Sequence, residues 1–118
     1  MIKIFLSENN ERVEEESILR GCRADVLVDI NGSYYIPFVN TVERLSQEVN
    51  DAFKQGIVYD IDPCQIIVPI ADKENIIQTI LFLYKEGFFD AFVPVSLTTR
   101  YQHTFPHLSD ISNWTKIY

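Results

Sequence analysis

Hydrophobic and polar residues alternate from Cys22 to Ile30, which is the pattern of a β-strand with one buried face. Asn31-Gly32 comes next, and this pair tolerates the positive φ angles that a two-residue hairpin turn requires. A return strand over 33–39 completes a β-hairpin, although Pro37 cannot donate a ladder hydrogen bond and predicts weak pairing or a bulge there. The expected cross-strand pairs are Ile30 with Ser33, Val28 with Tyr35, and Leu27 with Ile36.

The clearest helical pattern covers residues 41–55. Asn40 is placed to cap the first turn, and Glu43, three residues later, can complete a capping box. Gly56 suits the left-handed position that ends a helix. At helical spacing the apolar residues form one stripe, with charged residues on the other side. The stripe consists of Val42, Leu45, Val49, Ala52 and Phe53.

A second helix is predicted from about Lys73 to Glu86, with Asp72 as its cap and Gly87 at its end. Its apolar stripe is wider than that of the first helix, so we expect it to be more deeply buried. The stripe consists of Ile76, Ile77, Ile80, Leu81, Leu83 and Tyr84.

Shorter apolar runs predict further strands at 2–6, 57–61, 65–70 and 88–95. The segment from Glu8 to Glu16 holds five glutamates against the single Arg12. We interpret it as a solvated loop or a twisted edge, the functional alternative being an acidic hook for a basic partner.

This order of elements predicts one α+β domain over 1–118, with a single-layer, mainly antiparallel sheet, a β-hairpin and two packed helices. Residues 96–118 carry too many aromatic side chains for a floppy tail, so we expect a C-terminal extension that docks on the body. The aromatic residues concerned are Tyr101, Phe105, Trp114 and Tyr118.

Both faces of the predicted hairpin are apolar. One face carries Val26, Val28, Ile30, Tyr35 and Val39, and we expect it to be core. The other carries Leu27, Tyr34, Ile36 and Phe38, rimmed by Asp25 and Asp29. A sheet face in contact with water is rarely so apolar. Either a helix or a terminal segment covers this second face, or it is a patch that binds a partner.

The charge of the chain narrows the range of partners. Its 118 residues include 17 acidic and 10 basic ones, which gives a formal charge of -7. Such a chain repels nucleic acid and anionic membranes and attracts basic surfaces, so we expect neither nucleic acid nor a membrane as partner. The N-terminal apolar run is too short for a signal peptide or a membrane span, and Cys22 and Cys64 suit a reducing compartment. These features predict a cytoplasmic protein.

The sequence shows no catalytic constellation. It has no phosphate loop, dinucleotide fingerprint or nucleophile elbow. His103 and His107 have the i, i+4 spacing of zinc ligands on a helix, but Pro106 between them argues against that helix. Asp60 and Asp62 offer too few oxygen ligands for calcium. We therefore expect no metal, no cofactor and no enzymatic activity.

Four segments between about Ala24 and Val93 resemble small immunity proteins of bacterial polymorphic-toxin and contact-dependent growth inhibition systems. They are the Asp29–Tyr35 hairpin, the Val42–Leu45 helix start, the Ile66–Pro69 strand and the Leu83–Phe89 helix exit. The resemblance implies a small, acidic, non-enzymatic protein that binds and blocks a cognate toxin domain.

From charge and aromatic content we expect the partner-binding anchors to be Tyr34 and Phe38 with Asp25 and Asp29, on the second hairpin face. Glu14, Glu15 and Glu16 would form a rim that steers a basic, nuclease-like toxin. The structural alternative is that Tyr34 and Phe38 are core residues and the acids only maintain solubility.

A second resemblance is to ferredoxin-like regulatory modules that sense small molecules. It rests on the strand–helix–strand order predicted from Ile66 to Val95. Those modules often have a glycine near the helix start, whereas here the loop is Ala71-Asp72-Lys73.

Overall fold

The computed structural model describes residues 1–59, 64–95 and 113–118. It confirms the α+β class, and it differs from the prediction in having two sheets rather than one and three α-helices rather than two in these ranges. The elements in chain order are β1 (Ile2–Leu6), α1 (Glu11–Arg20), β2 (Cys22–Arg23), β3 (Val26–Ile30), β4 (Ser33–Tyr35), β5 (Phe38–Asn40), α2 (Val42–Lys54), β6 (Gln65–Ile67), α3 (Lys73–Lys85), a 3₁₀ helix (Phe88–Ala91) and β7 (Thr115–Lys116).

The predicted hairpin is confirmed as β3 and β4, inside a four-stranded antiparallel sheet of order β4-β3-β1-β7. Its turn uses positive φ angles at Asn31 (52°) and Gly32 (88°). The expected pair of Leu27 with Ile36 is not formed, because the ladder ends one residue earlier, ahead of Pro37. The paired residues are Ile30 with Ser33, Asp29 with Tyr34, and Val28 with Tyr35.

A second sheet, of order β2-β5-β6, takes the outer parts of the two predicted hairpin strands. In it β5 runs antiparallel to β2 and parallel to β6. The Phe38 N–H donates to the Cys64 carbonyl at 3.0 Å, and the Val68 N–H donates to the Asn40 carbonyl at 2.9 Å. The chain around 64–68 therefore replaces β3 as the partner of β5, and the predicted strands 22–30 and 33–39 are each divided between two sheets.

The main core joins both sheets to α3. The hairpin face expected to be core is confirmed, since Val26, Val28 and Val39 are buried and Ile30 and Tyr35 pack against them. The deeper burial expected of the second helix is also confirmed: α3 contributes two fully buried isoleucines, whereas α2 has no fully buried residue. The buried residues of this core are Ile4, Leu6, Val26, Val28, Val39, Ile66, Val68, Ala71, Ile76, Ile80 and Phe89.

The loop predicted over Glu8 to Glu16 is wrong, because Glu11–Arg20 is the helix α1. The Asn10 side chain caps it by accepting from the Val13 N–H at 2.9 Å, and Gly21 ends it with a φ of 72°. A side chain at Gly21 would also lie 2.6 Å from the Thr41 hydroxyl oxygen, so this glycine lets α1 meet the start of α2. Glutamate is a good helix former, so a run of glutamates is compatible with a helix even where the apolar stripe is weak.

Two predicted strands are also wrong. Residues 57–59 have no regular structure, and 60 and 61 lie outside the described residues. Residues 88–95 contain the 3₁₀ helix, after which Val95 makes an isolated bridge to Tyr34. The strand predicted over 65–70 is confirmed only for Gln65–Ile67. The strand–helix–strand order behind the resemblance to ferredoxin-like modules therefore lacks its second strand.

The helix predicted over 41–55 is confirmed as α2, but its cap is Thr41 rather than Asn40. The Thr41 hydroxyl accepts from the Arg44 N–H at 3.2 Å. Asn40 instead ends β5, where its side chain is fully buried and neither amide atom has a hydrogen-bond partner among the described residues. The predicted cap of α3 is confirmed, since Asp72 accepts from the Asn75 N–H at 2.8 Å.

Candidate functional site

Two of the seven residues predicted to bind a partner, Glu14 and Asp25, contact a buried arginine. The Arg23 side chain donates from Nε to Asp25 at 2.7 Å and from Nη1 to Glu14 at 3.1 Å. Its Nη2 donates to the Glu8 carbonyl. The second oxygen of Glu14 accepts from the Lys73 N–H at 2.9 Å. We call Glu14, Arg23 and Asp25 the Arg23 cluster. It ties α1 and β2 to the first turn of α3.

Asp29 lies at the hairpin turn and makes a hydrogen bond within it. The Asp29 carboxylate accepts from the Gly32 N–H at 2.8 Å, which stabilises the turn. On α1, Glu15 is exposed, and Glu16 lies 3.7 Å from Arg12 and from Arg20. Of the predicted steering residues, Glu15 is thus the one without an ion pair in the described part of the chain.

The two aromatic anchors predicted for one surface lie on different sheets. Tyr34 packs in a small second core around the buried residues Leu27 and Trp114. Trp114 thus covers part of the second hairpin face, and β7 pairs with β1 next to it. Residues 96–112 of the predicted extension, with Tyr101 and Phe105, lie outside the described residues. Phe38 lies on β5 and borders a groove of about 230 Å³ that also includes Asp25 and Glu16. The structure does not place Tyr34 and Phe38 together, and partner binding by the seven residues stays a prediction.

The Arg23 cluster leads to an expected loss of stability in acid. Burial raises the pKa of Asp25, but the hydrogen bond and charge of Arg23, with donors from Glu8 and Ser7, outweigh it and lower the pKa below its ordinary 3.8. With a folded pKa below the unfolded one, Asp25 stabilises the fold above pH 3.8 and stops doing so as the pH falls through the folded value.

Urea denaturation at a series of acidic pH values measures this effect. We expect Asp25→Asn to flatten the fall in unfolding free energy below pH 3.8, and the exposed control Glu15→Gln to retain the wild-type slope. Equal slopes for the wild type and Asp25→Asn would contradict the role given to Asp25.

Helix α2 presents an apolar surface whose exposure to solvent the sequence did not predict. The residues that it half-buries against the body include two charged ones, Arg44 and Glu48, which form an ion pair at 3.0 Å. Glu48 also accepts from the Tyr59 hydroxyl at 2.9 Å. The half-buried residues of α2 are Arg44, Leu45, Glu48, Val49 and Ala52, and Val49 lies at the edge of this half-buried side, next to Val42 and Phe53. This polar network occupies part of the contact with the body, so the apolar stripe is turned partly towards solvent.

The outward part of the stripe forms a line along the helix. Val42, Val49 and Phe53 are seven and four residues apart, so they follow one side of α2 over about 16 Å. Val42 and Phe53 are each 65% exposed, and Val49 is half-buried. We call these three residues the α2 ridge. An amphipathic helix that leaves this much of its stripe uncovered is typical of an interaction surface.

A groove of about 460 Å³ lies at the N-terminal end of the α2 ridge. It lies between the last turn of α1 and the first turn of α2, and residues 68–70 line its remaining side. Leu19 is 86% exposed at its rim, and Ile18 and Ile70 are also exposed. We call it the α1–α2 groove. Together with the ridge it gives a surface of exposed apolar side chains mixed with polar and charged ones, which could receive the side chains of another protein.

The described residues contain no group of three or more histidine, cysteine or acidic residues that could hold a metal ion. His103, His107, Asp60 and Asp62 lie outside the described residues. Cys22 and Cys64, which are described, are not joined by a disulfide. Of the helices in the described ranges, none has the length and apolar character needed to cross a bilayer.

No family model, curated protein or solved structure matches the chain. Its function is therefore inferred from its own surface. The sequence signal for that surface was present, because the stripe from Val42 to Phe53 was evident from spacing. The direction in which the stripe faces was not evident from the sequence, since it depends on contacts with the body.

Proposed function

We propose that this chain is an immunity-type binding protein that neutralises a cognate protein toxin domain by occluding its active site. The observation that carries the proposal is the uncovered apolar surface of the α2 ridge. Exposed apolar area costs roughly 25 cal/mol for each Å² kept in water. The presence of such a surface on a small protein, beside exposed Leu19 and Ile70, is best explained by a protein partner that covers it.

The charge of the chain supports a basic toxin, such as a nuclease. A formal charge of -7 would raise the rate of encounter with a basic protein, and surface carboxylates would stand where such a toxin binds phosphate. Exposed Glu15 is available for this steering, whereas Glu14 and Asp25 are held in the Arg23 cluster. Binding energy and steering would then come from different residues, as in other interfaces with an apolar centre and a charged rim.

Co-expression tests the proposal. The gene next to this one would be inspected for a large secreted toxin, and the C-terminal domain of that toxin expressed with and without this chain. We expect the chain to restore growth and to form a complex that survives size-exclusion chromatography at low salt. The toxin domain expressed with an unrelated acidic protein is the control for charge alone. Unchanged growth inhibition, with no complex, would overturn the proposal.

A further inference from the structure

From the α2 ridge and the α1–α2 groove, we infer that the partner docks a basic amphipathic helix along α2. The inference rests on the proposed function, because it names the element of the partner that the surface would receive. Residues at i, i+7 and i+11 lie along the seam of one helix against another. Val42, Val49 and Phe53 have this spacing, and a helix laid along them would also reach the groove at the Val42 end.

The basic character of the partner helix follows from the acidic side of α1 that adjoins the groove. Two arginines line it, but each is already paired within its own helix: Arg20 with Glu16 at 3.7 Å and Arg44 with Glu48 at 3.0 Å. Glu43 also lines the groove and makes no ion pair among the described residues. Because Glu16 is shared between Arg20 and Arg12, one positive charge is left over, and Glu43 offsets it, so the groove itself is close to neutral.

The negative charge beside the groove comes from the exposed side of α1, where Glu11 and Glu15 make no ion pair among the described residues. Glu15 precedes Leu19 by four residues, so the two lie on the same side of α1, and Glu11 lies one turn further away. All three are exposed. A partner helix with lysine or arginine beside its apolar stripe would therefore meet both an apolar centre and an acidic rim. A second copy of this chain fits less well, because two chains of charge -7 repel each other.

Two exposed phenylalanines on helices provide a matched pair of variants. Phe53 on the ridge is 65% exposed, and Phe82 on α3, which does not line the groove, is 63% exposed. Phe53→Asp and Phe82→Asp make the same chemical change at similar exposure. Val42→Asp gives a second variant of the ridge, and thermal melts would verify that each variant is folded.

The probe is a synthetic amphipathic helix of leucine and lysine, and its leucine–glutamate counterpart is the charge control. In NMR titrations of the full chain, we expect the lysine peptide to shift amide signals of α2 and of residues 18–21. We expect Phe53→Asp and Val42→Asp to weaken its binding about tenfold or more, and Phe82→Asp to change it less than about twofold. Shifts centred on the hairpin, equal binding of the glutamate peptide, or equal effects of the two phenylalanine variants would overturn the inference.

Two further measurements separate this inference from its alternatives. If the wild-type chain forms a dimer that Phe53→Asp abolishes, the ridge is a contact between copies and the inference is overturned. In the co-expression assay, a Phe53→Asp variant that still protects overturns the inference and leaves the proposed function standing. A wild-type chain that fails to protect overturns the proposed function itself. Loss of protection in Phe53→Asp but not in Phe82→Asp supports both.

Discussion

Replacing Arg23 by methionine is expected to lower the free energy of unfolding by about 3 kcal/mol. Arg23 is 4% exposed and holds the carboxylates of Glu14 and Asp25 together. Without the guanidinium, two like charges remain close to each other, and the Glu8 carbonyl loses its donor. Both carboxylates keep some contact with water, which places the expected loss at the lower end of the range for a broken buried ion pair. Urea denaturation at neutral pH measures it.

A surface ion pair on α1 provides the control for Arg23. The Arg12 side chain is 83% exposed and lies 3.7 Å from Glu16, so we expect Arg12→Met to change stability by less than about 1 kcal/mol. A double variant, Arg23→Met with Glu14→Gln, should lose less than the sum of the two single losses, because the second change removes a carboxylate left unpaired by the first. Similar losses for Arg12→Met and Arg23→Met would mean that the Arg23 cluster does not hold the fold together.

Phe89→Ala is expected to lower the free energy of unfolding by about 3 to 5 kcal/mol. Phe89 is 1% exposed at the start of the 3₁₀ helix, and its ring centroid lies 5.3 Å from that of Tyr35 and 5.2 Å from that of Phe88. Its loss leaves a cavity between the hairpin and α3 and removes two aromatic contacts. Small domains are stable by about 5 to 15 kcal/mol, so the variant should lose a large share of its stability.

Thermal and urea denaturation, followed by circular dichroism, would measure the effect of Phe89→Ala. Phe82→Ala is the matched control, because it removes the same atoms from an exposed position on α3 and should change stability by less than about 1 kcal/mol. Phe89→Leu should fall between the two, since leucine fills part of the cavity. If Phe89→Ala were no worse than Phe82→Ala, the 3₁₀ helix would not be part of the core.

Most residues of the candidate surface could be identified from the sequence, but their exposure to solvent could not. The spacing of Val42, Leu45, Val49, Ala52 and Phe53 is enough to identify the apolar stripe of α2. The stripe is only partly covered, and the half-buried side of α2 also holds the hydrogen bonds that Glu48 makes with Arg44 and Tyr59. Glu48 and Tyr59 are eleven positions apart, and the apolar periodicity of a helix does not reveal a hydrogen bond of this kind.

The sequence by itself determined those elements whose signals are local. The Asn31-Gly32 turn, the cap at Asp72 and the glycine ends at Gly56 and Gly87 are set by the φ angles and side-chain acceptors of the residues themselves. The alternating face of the hairpin likewise identified core residues, because the period of a strand does not depend on its partner.

The tertiary structure alone decided how these elements share partners. Both long strands were predicted as continuous, since alternation does not change where a strand leaves one sheet for another. The change at 36–37 depends on the Cys64 carbonyl, which accepts from the Phe38 N–H, and the covering of Leu27 depends on Trp114 at the far end of the chain. Hydrogen bonds and burial between distant residues set these features, and one sequence read along its length carries no record of them.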